Sequence, residues 1–295
     1  MEEALDRLRI AGFVALAAGV AGLLLSPGLL GAGLEDRLGQ FVLFHLRGPL
    51  PPPPEAVVVA EDRASAEALG LPAGTKPWPR SLHARAIKKL TAHGAAVIAL
   101  DLMFNTPDPD EDDALARALR AAGCVVLLQG LERRITAGQA GSSIETDQPT
   151  DPIPKLAGAA AAIARYPLPK VPARVDRFWT FHGVAGAPTV PSVVLQLAAR
   201  DIAGRWTELL ATEPDLPKFA TKDWTGANVT AAMQRLHAAL RANPDAADRL
   251  RARLQTDTSN GGDNRRLSAL VELYAGEDSR YLDLRGPADT IRTLS

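Results

Sequence analysis

The chain has 295 residues, 33 basic and 34 acidic side chains, a formal net charge of −1 and 46% hydrophobic residues. Its arginines are scattered among aspartates and glutamates instead of forming the clustered basic face that counterion release requires, which argues against a nucleic-acid partner. Cys124 is the only cysteine, so neither a disulfide framework nor a cysteine-rich metal site can form within one chain, and Cys124 reads as a small buried strand residue.

Ile10 to Leu34 contains no ionisable side chain and is bounded by Arg9 and by Glu35-Asp36. A helix needs roughly 20 apolar residues to cross the hydrocarbon core, and this run has that length even with the breaker Pro27. The expected topology is a short cytoplasmic tail, one N-terminal transmembrane anchor and a folded domain outside the cytoplasm. A cleaved signal peptide, with Gly31-Ala32-Gly33 as the small-residue site, is one alternative, although its apolar core would be shorter. A buried core helix is another, but it would carry a polar stripe, and none is present. Arg7 and Arg9 are balanced by Arg37 and Arg47, so the positive-inside bias barely discriminates orientation, and the short tail favours an N-terminus inside. Roughly 255 residues remain beyond the anchor, enough for one large domain or two small ones.

Leu34 to Leu46 reads as a helix continuing out of the membrane. Gly48-Pro49-Leu50-Pro51-Pro52-Pro53-Pro54 then favours polyproline II, a semi-rigid stalk of roughly 15 to 20 Å at about 3 Å per residue. An SH3-type ligand does not suit a segment outside the cytoplasm.

Beyond the stalk, strands and helices alternate. Ala56 to Ala60 is a valine-rich run of strand length ending at Glu61-Asp62. Ser81 is positioned to cap a helix carrying Leu82, Ala86, Ile87 and Leu90 on one face, and Gly94 closes it. Ala96 to Leu100 reads as a second strand ending at Asp101. Asp110 to Ala122 reads as a helix with Leu115, Ala118, Leu119 and Ala122 on one face and Gly123 as its stop, and Val125 to Gln129 as a third strand. Apolar strands separated by helices predict right-handed crossovers and a parallel sheet covered on both faces.

Ile135 to Pro154 is polar and rich in Gly, Ser and Thr, and reads as a loop. Arg174 to Gly183 suggests a further strand and Pro191 to Ala203 a helix with Val193, Val194, Leu197 and Ala198 facing inward. From Arg205 to Tyr274 only helices are expected. One carries Val229, Met233, Leu236 and Leu240, a short one starts at Asn243-Pro244 with Leu250 and Leu254, and another carries Leu267, Leu270, Val271 and Tyr274. Tyr281 to Leu284 looks like a returning strand, which makes this stretch a helical insertion.

The strongest local motif is Pro77-Trp78-Pro79-Arg80-Ser81-Leu82-His83, between the first strand and its helix. Loops after the carboxyl ends of parallel strands surround the usual ligand crevice. Asp62, Trp78, Arg80, His83 and Asp101 are therefore the residues expected to line it. The structural alternatives are a Trp78 that plugs the sheet edge, and aspartates that cap loops or pair with Arg80.

Asp108, Asp110, Glu111, Asp112 and Asp113 invite a metal reading, but acidic residues crowd the first turn of a helix because they complement its dipole. The segment Asp257 to Asn264 lacks the ligand order of a calcium loop. Neither a metal nor another cofactor is called for. Gly70 to Lys76 falls short of a phosphate loop in its glycine spacing. Asp101-Leu102-Met103-Phe104-Asn105-Thr106 resembles the nucleophile loop of haloacid-dehalogenase-like phosphohydrolases, with Met103 where their acid stands.

Several segments together resemble the type-two CHASE domain, an extracytoplasmic sensory domain attached to bacterial cyclases and kinases. Leu34-Glu35-Asp36-Arg37, Leu46-Arg47-Gly48-Pro49 and the proline run open the match. Val57-Val58-Val59-Ala60-Glu61-Asp62, Trp78-Pro79-Arg80 with His83-Ala84, Gly94-Ala95 to Asp101, Phe104, Asp112-Asp113 and Val125-Val126 follow in order. Asp176-Arg177-Phe178, Pro191-Ser192 and Tyr281-Leu282-Asp283-Leu284-Arg285-Gly286-Pro287 are similar to its second half. Gln40 and Glu61 depart from the pattern, and the helical stretch is longer than expected. Family members usually continue into further membrane helices and an output domain. The stop at Ser295 leaves either a truncated portion or a domain that works alone or through a partner.

The resemblance implies an α/β fold with an N-terminal transmembrane helix, a largely parallel sheet with flanking helices and a helical insertion. The divisions are 1–34 for tail and anchor, 35–55 for the juxtamembrane segment and stalk, and 56–295 for the sensor domain, with the insertion at 205–275. The implied function is that of a non-enzymatic, membrane-anchored sensor in the periplasm or other extracytoplasmic space. Its partners would be the membrane, an unidentified small ligand, and a cytoplasmic cyclase or kinase output domain or a homodimer partner. A phosphohydrolase using Asp101 and an envelope assembly protein are the alternatives. The assembly reading predicts an exposed apolar patch along Leu267, Leu270 and Tyr274.

Overall fold

The computed structural model describes residues 42, 46–71, 77–137, 143–167, 177–183, 186–257, 261–282 and 291–294. The anchor expected over Ile10 to Leu34 and most of the loop Gly70 to Lys76 lie outside the described residues. Among the described residues, no helix is long and apolar enough to cross a membrane. The chain divides into two compact units, one drawn from Met1–Gly74 and Asp283–Ser295, the other from Thr75–Leu282.

In the smaller unit, β1 (Val58–Val59) pairs in parallel with the terminal strand Thr293–Leu294. The valine run predicts a buried strand of five residues. Only two residues pair, and Val57, Val58 and Val59 remain 45%, 46% and 48% exposed. Residues 48–53 carry neither helix nor strand and are a mixture of exposed and half-buried positions. Helix α1 (Arg63–Ala68) follows, capped by Asp62.

The larger unit opens with α2 (Arg80–Ala92), β2 (Ile98–Leu100), α3 (Asp112–Ala122) and β3 (Val125–Ala137). Gly123 ends α3 with a φ of 60°, a left-handed geometry that a residue bearing a Cβ resists. β4 (Ser143–Thr150) turns back along β3, α4 (Pro154–Ala157) follows, and β5 (Ala162–Arg165) returns to the sheet. β2 and β3 run parallel with Ile98 opposite Val125, and β3 and β5 run parallel with Val126 opposite Ala162. The second half of β3 pairs antiparallel with β4, from Gly130 opposite Thr150 to Ala137 opposite Ser143. The loop expected from Ile135 to Pro154 is thus largely a hairpin, because the backbone of polar residues pairs as readily as that of apolar ones once a register is available.

Side chains alternate across β3 and divide the core into two layers. Val125 and Leu127 pack with Ile98, Ile87 of α2, Leu115 and Leu119 of α3, and Leu156 of α4. Val126, Ala162 and Ala164 face the other way, into a core built by the rest of the chain. That chain comprises β6 (Arg177–Trp179), β7 (Phe181–His182), β8 (Ala187–Pro188), α5 (Val190–Ala198), α6 (Ala203–Ala211), α7 (Val229–Ala242), α8 (Pro244–Thr256), α9 (Gly261–Ala275) and β9 (Ser279–Tyr281). The parallel part of the sheet is covered on both faces, as its apolar strands require.

The helical faces expected around Met233 and Leu270 form as read. Val229, Met233, Leu236, Leu267, Leu270, Val271 and Tyr274 are buried, each contributing about 1.5–3 kcal/mol where the side chain is a Val, Leu or Met. Trp206 and Trp224 lie fully buried with ring centroids 6.1 Å apart, and the Trp224 indole N–H donates to Thr207 Oγ1 at 3.0 Å. Of the returning strand expected over Tyr281 to Leu284, Tyr281 ends β9 and residues 283–284 lie outside the described residues; β9 pairs antiparallel with β6, Arg177 opposite Tyr281, and not with the parallel sheet.

Candidate functional site

The five expected crevice residues belong to two different units. Asp62 belongs to the smaller unit, where its carboxylate accepts from the Ser65 N–H at 2.8 Å and the Ser65 hydroxyl at 2.7 Å. It therefore caps α1, the structural alternative for that aspartate. Trp78 is half-buried at the entry to α2.

Arg80 and His83, one turn apart on α2, are both buried and meet at Phe104. His83 lies edge-on to Phe104 with centroids 5.7 Å apart, and the Arg80 guanidinium carbon lies 5.6 Å from the same ring centre. The guanidinium pairs with Asp112 and donates to the Thr106 carbonyl. Arg80 is thus joined to the first turn of α3 and to the loop after β2, and Asp112 is its carboxylate partner.

Ser81 does not cap its own helix, since Pro79 holds the cap position and Ser81 lies inside the first turn. Glu111 caps it from the other segment, accepting from the Ser81 N–H at 3.2 Å and the Ser81 hydroxyl at 2.9 Å. Desolvation pushes the Glu111 pKa up, but these hydrogen bonds and one from the Arg80 backbone outweigh it and hold the carboxyl below its ordinary value. Asp113 pairs with Lys155 at 2.9 Å. Glu111, Asp112 and Asp113 are therefore engaged in tying the start of α3 to α2 and α4. Among the described residues there is no group of three or more His, Cys, Asp or Glu side chains arranged to hold a metal.

Asp101 stands apart from this network, exposed at the carboxyl end of β2. There it lines a cleft of about 260 Å³ between the sheet and α5, with Ala99, Leu100, Val126, Leu128, Tyr166, Val190, Pro191 and Val194. The position follows from the topology: β2, β3 and β5 point their carboxyl ends the same way, and α5 lies over the face carrying Val126. Desolvation and, after it, the negative charge of Asp101 raise the Tyr166 pKa, which places phenol and carboxylate in one electrostatic environment. A second cavity of about 400 Å³ lies at the opposite end of the strands, bordered by Thr91, Cys124, Arg200, Asp201 and Arg266. Arg266 there is already held by Asp201 and by the Ala198 carbonyl at 2.9 Å.

Of the five expected residues, Asp101 alone is among those lining the larger unit's carboxyl-edge cleft. Sequence reasoning missed Tyr166, because the alanine-rich segment before it carries no strand signal. It had placed Val194 on a buried face, but nothing local could reveal that this face looks onto the mouth of the sheet. The apolar patch expected on an assembly protein is not there: Leu267, Leu270 and Tyr274 are 2%, 0% and 0% exposed. The Tyr274 hydroxyl donates to Gln196 Oε1 at 2.6 Å, and full burial raises its pKa well above the ordinary value.

No curated protein and no solved structure matches the chain. The family model described as CHASE2 domain matches residues 14–295. That match spans both halves of the sequence resemblance and the whole α/β unit, and CHASE2 domains are sensory instead of catalytic. The chain belongs to the CHASE2 domain family, the extracytoplasmic sensor domains of signal transduction.

Proposed function

We propose that this protein is a membrane-anchored sensor module of bacterial signal transduction that binds a small ligand, outside the cytoplasm, in the cleft at the carboxyl edge of its parallel sheet. The observation that carries the reading is the cleft itself, set where parallel sheets commonly hold ligands and lined by apolar side chains with one carboxylate and one phenol. Family membership supports the sensory role. The uncharged run from Ile10 to Leu34 supports the anchor.

A ligand can signal only through unequal affinity for two conformations. The loop from Asp101 to Thr106 offers a route: it begins in the cleft and ends on Arg80, which holds α3 through Asp112. A thermal-shift screen of periplasmic metabolites against the full chain tests the reading. Hits should vanish in Val194→Trp, which fills the cleft. Hits that survive that substitution would place the site elsewhere.

A further inference from the structure

The cleft is chemically one-sided. Asp101 is the charged residue among those lining it, Tyr166 adds a phenol, and the other seven lining residues are Ala, Leu, Val and Pro. Arg165, the cation next to Tyr166 in sequence, is paired in register with Gln129 and donates to its Oε1 at 3.1 Å. Leu128 lines the cleft, so its neighbour Gln129, and Arg165 with it, lie on the opposite face of the sheet. Gln129 in turn donates to Asp151 at 2.6 Å, which completes a polar chain on that side. The carboxylate at the cleft mouth thus faces an apolar floor without a lysine or arginine among the lining residues described.

Such a lining disfavours sugars and nucleotides, whose many polar groups would lose their water without replacement. It disfavours anions through Asp101. A carboxylate beside an aromatic ring over an aliphatic floor suits an ammonium group carrying a short hydrocarbon, since charge pairing and cation–π attraction act at one end and area burial at the other. A cleft of about 260 Å³ limits the occupant to a small molecule.

Resting on the cleft being the ligand site, we propose that it takes a small aliphatic ammonium ion, its charged end at Asp101 and Tyr166 and its hydrocarbon on Val126, Leu128 and Val194. The probes are butylammonium, butanol and butyrate, titrated against the full chain and followed by ligand-observed saturation-transfer NMR. Butylammonium should bind at least tenfold more tightly than either of the others and weaken with added salt. Asp101→Asn should weaken it at least tenfold, Asp101→Glu should restore part of the loss, and Val194→Trp should abolish it. Leu128→Phe serves as the blocking variant if Val194→Trp does not fold. Butanol or butyrate binding as well as butylammonium, all lost on blocking, would overturn the ammonium proposal and leave the cleft as a site. Binding of none of the probes, or binding indifferent to both blocking variants, would overturn the ammonium proposal together with the cleft reading.

Discussion

Replacing Arg80 with alanine separates a structural arginine from a ligand-binding one. Arg80 is 9% exposed and Asp112 3% exposed, so truncation leaves a carboxylate out of water without its counter-charge, removes the donor to the Thr106 carbonyl and empties the space beside Phe104. Breaking a buried pair in this way costs about 3–5 kcal/mol, because the remaining charge keeps its desolvation penalty and loses its compensation. For a unit the size of Thr75–Leu282, each kcal/mol lowers the melting temperature by about 2–4 °C, so the expected drop is roughly 6–20 °C. All four tryptophans lie in that unit, so urea unfolding of the full chain followed by tryptophan fluorescence reports on it selectively. The companion variant Arg80→Met with Asp112→Leu removes both charges and should recover at least half of the loss. Arg80→Ala costing under about 1 kcal/mol, or a double variant as unstable as the sum of its single changes, would refute the buried-pair reasoning. Loss of ligand binding with stability intact would return Arg80 to the crevice.

Tyr274→Phe should destabilise the larger unit by about 1–3 kcal/mol by leaving the buried Gln196 oxygen without its donor, and adding Gln196→Leu should recover much of that in the same urea assay. Glu111 has its folded pKa held below the ordinary 4.5, so its contribution is present above about pH 4.5 and is lost as pH falls through the folded value. Glu111→Gln should therefore lower stability at pH 7 and converge with wild type in acid, as read from unfolding midpoints across pH. A difference that stays constant between pH 7 and pH 2.5 would contradict the Ser81 cap.

Periodicity carried the reading furthest where segments are long and one-sided. The faces on α7 and α9 could be identified from spacing alone because a helix that buries one side must repeat its apolar residues every three or four positions. Strand order was legible for β2 and β3, whose apolar runs alternate with helices. It failed at β5, since Ala162 and Ala164 are too small to signal a strand and are placed by pairing with β3. It failed at β4 as well, where backbone hydrogen bonding, indifferent to side-chain polarity, extends β3 into a hairpin.

The candidate site followed the same division. Local chemistry marked the residues with unusual potential, among them Arg80, His83 and Asp101, and topology marked the carboxyl ends of the strands as the place to look. Which of them meet is a matter of distance in space, and sequence spacing carries no record of it. Arg80 is drawn to Asp112 because a buried guanidinium needs a carboxylate within hydrogen-bonding reach, and the packing of α2 on α3 brings that one there. Asp101 is left beside Tyr166 and α5, partners contributed by chain more than 60 residues further on, and only the folded sheet brings them to the same cleft.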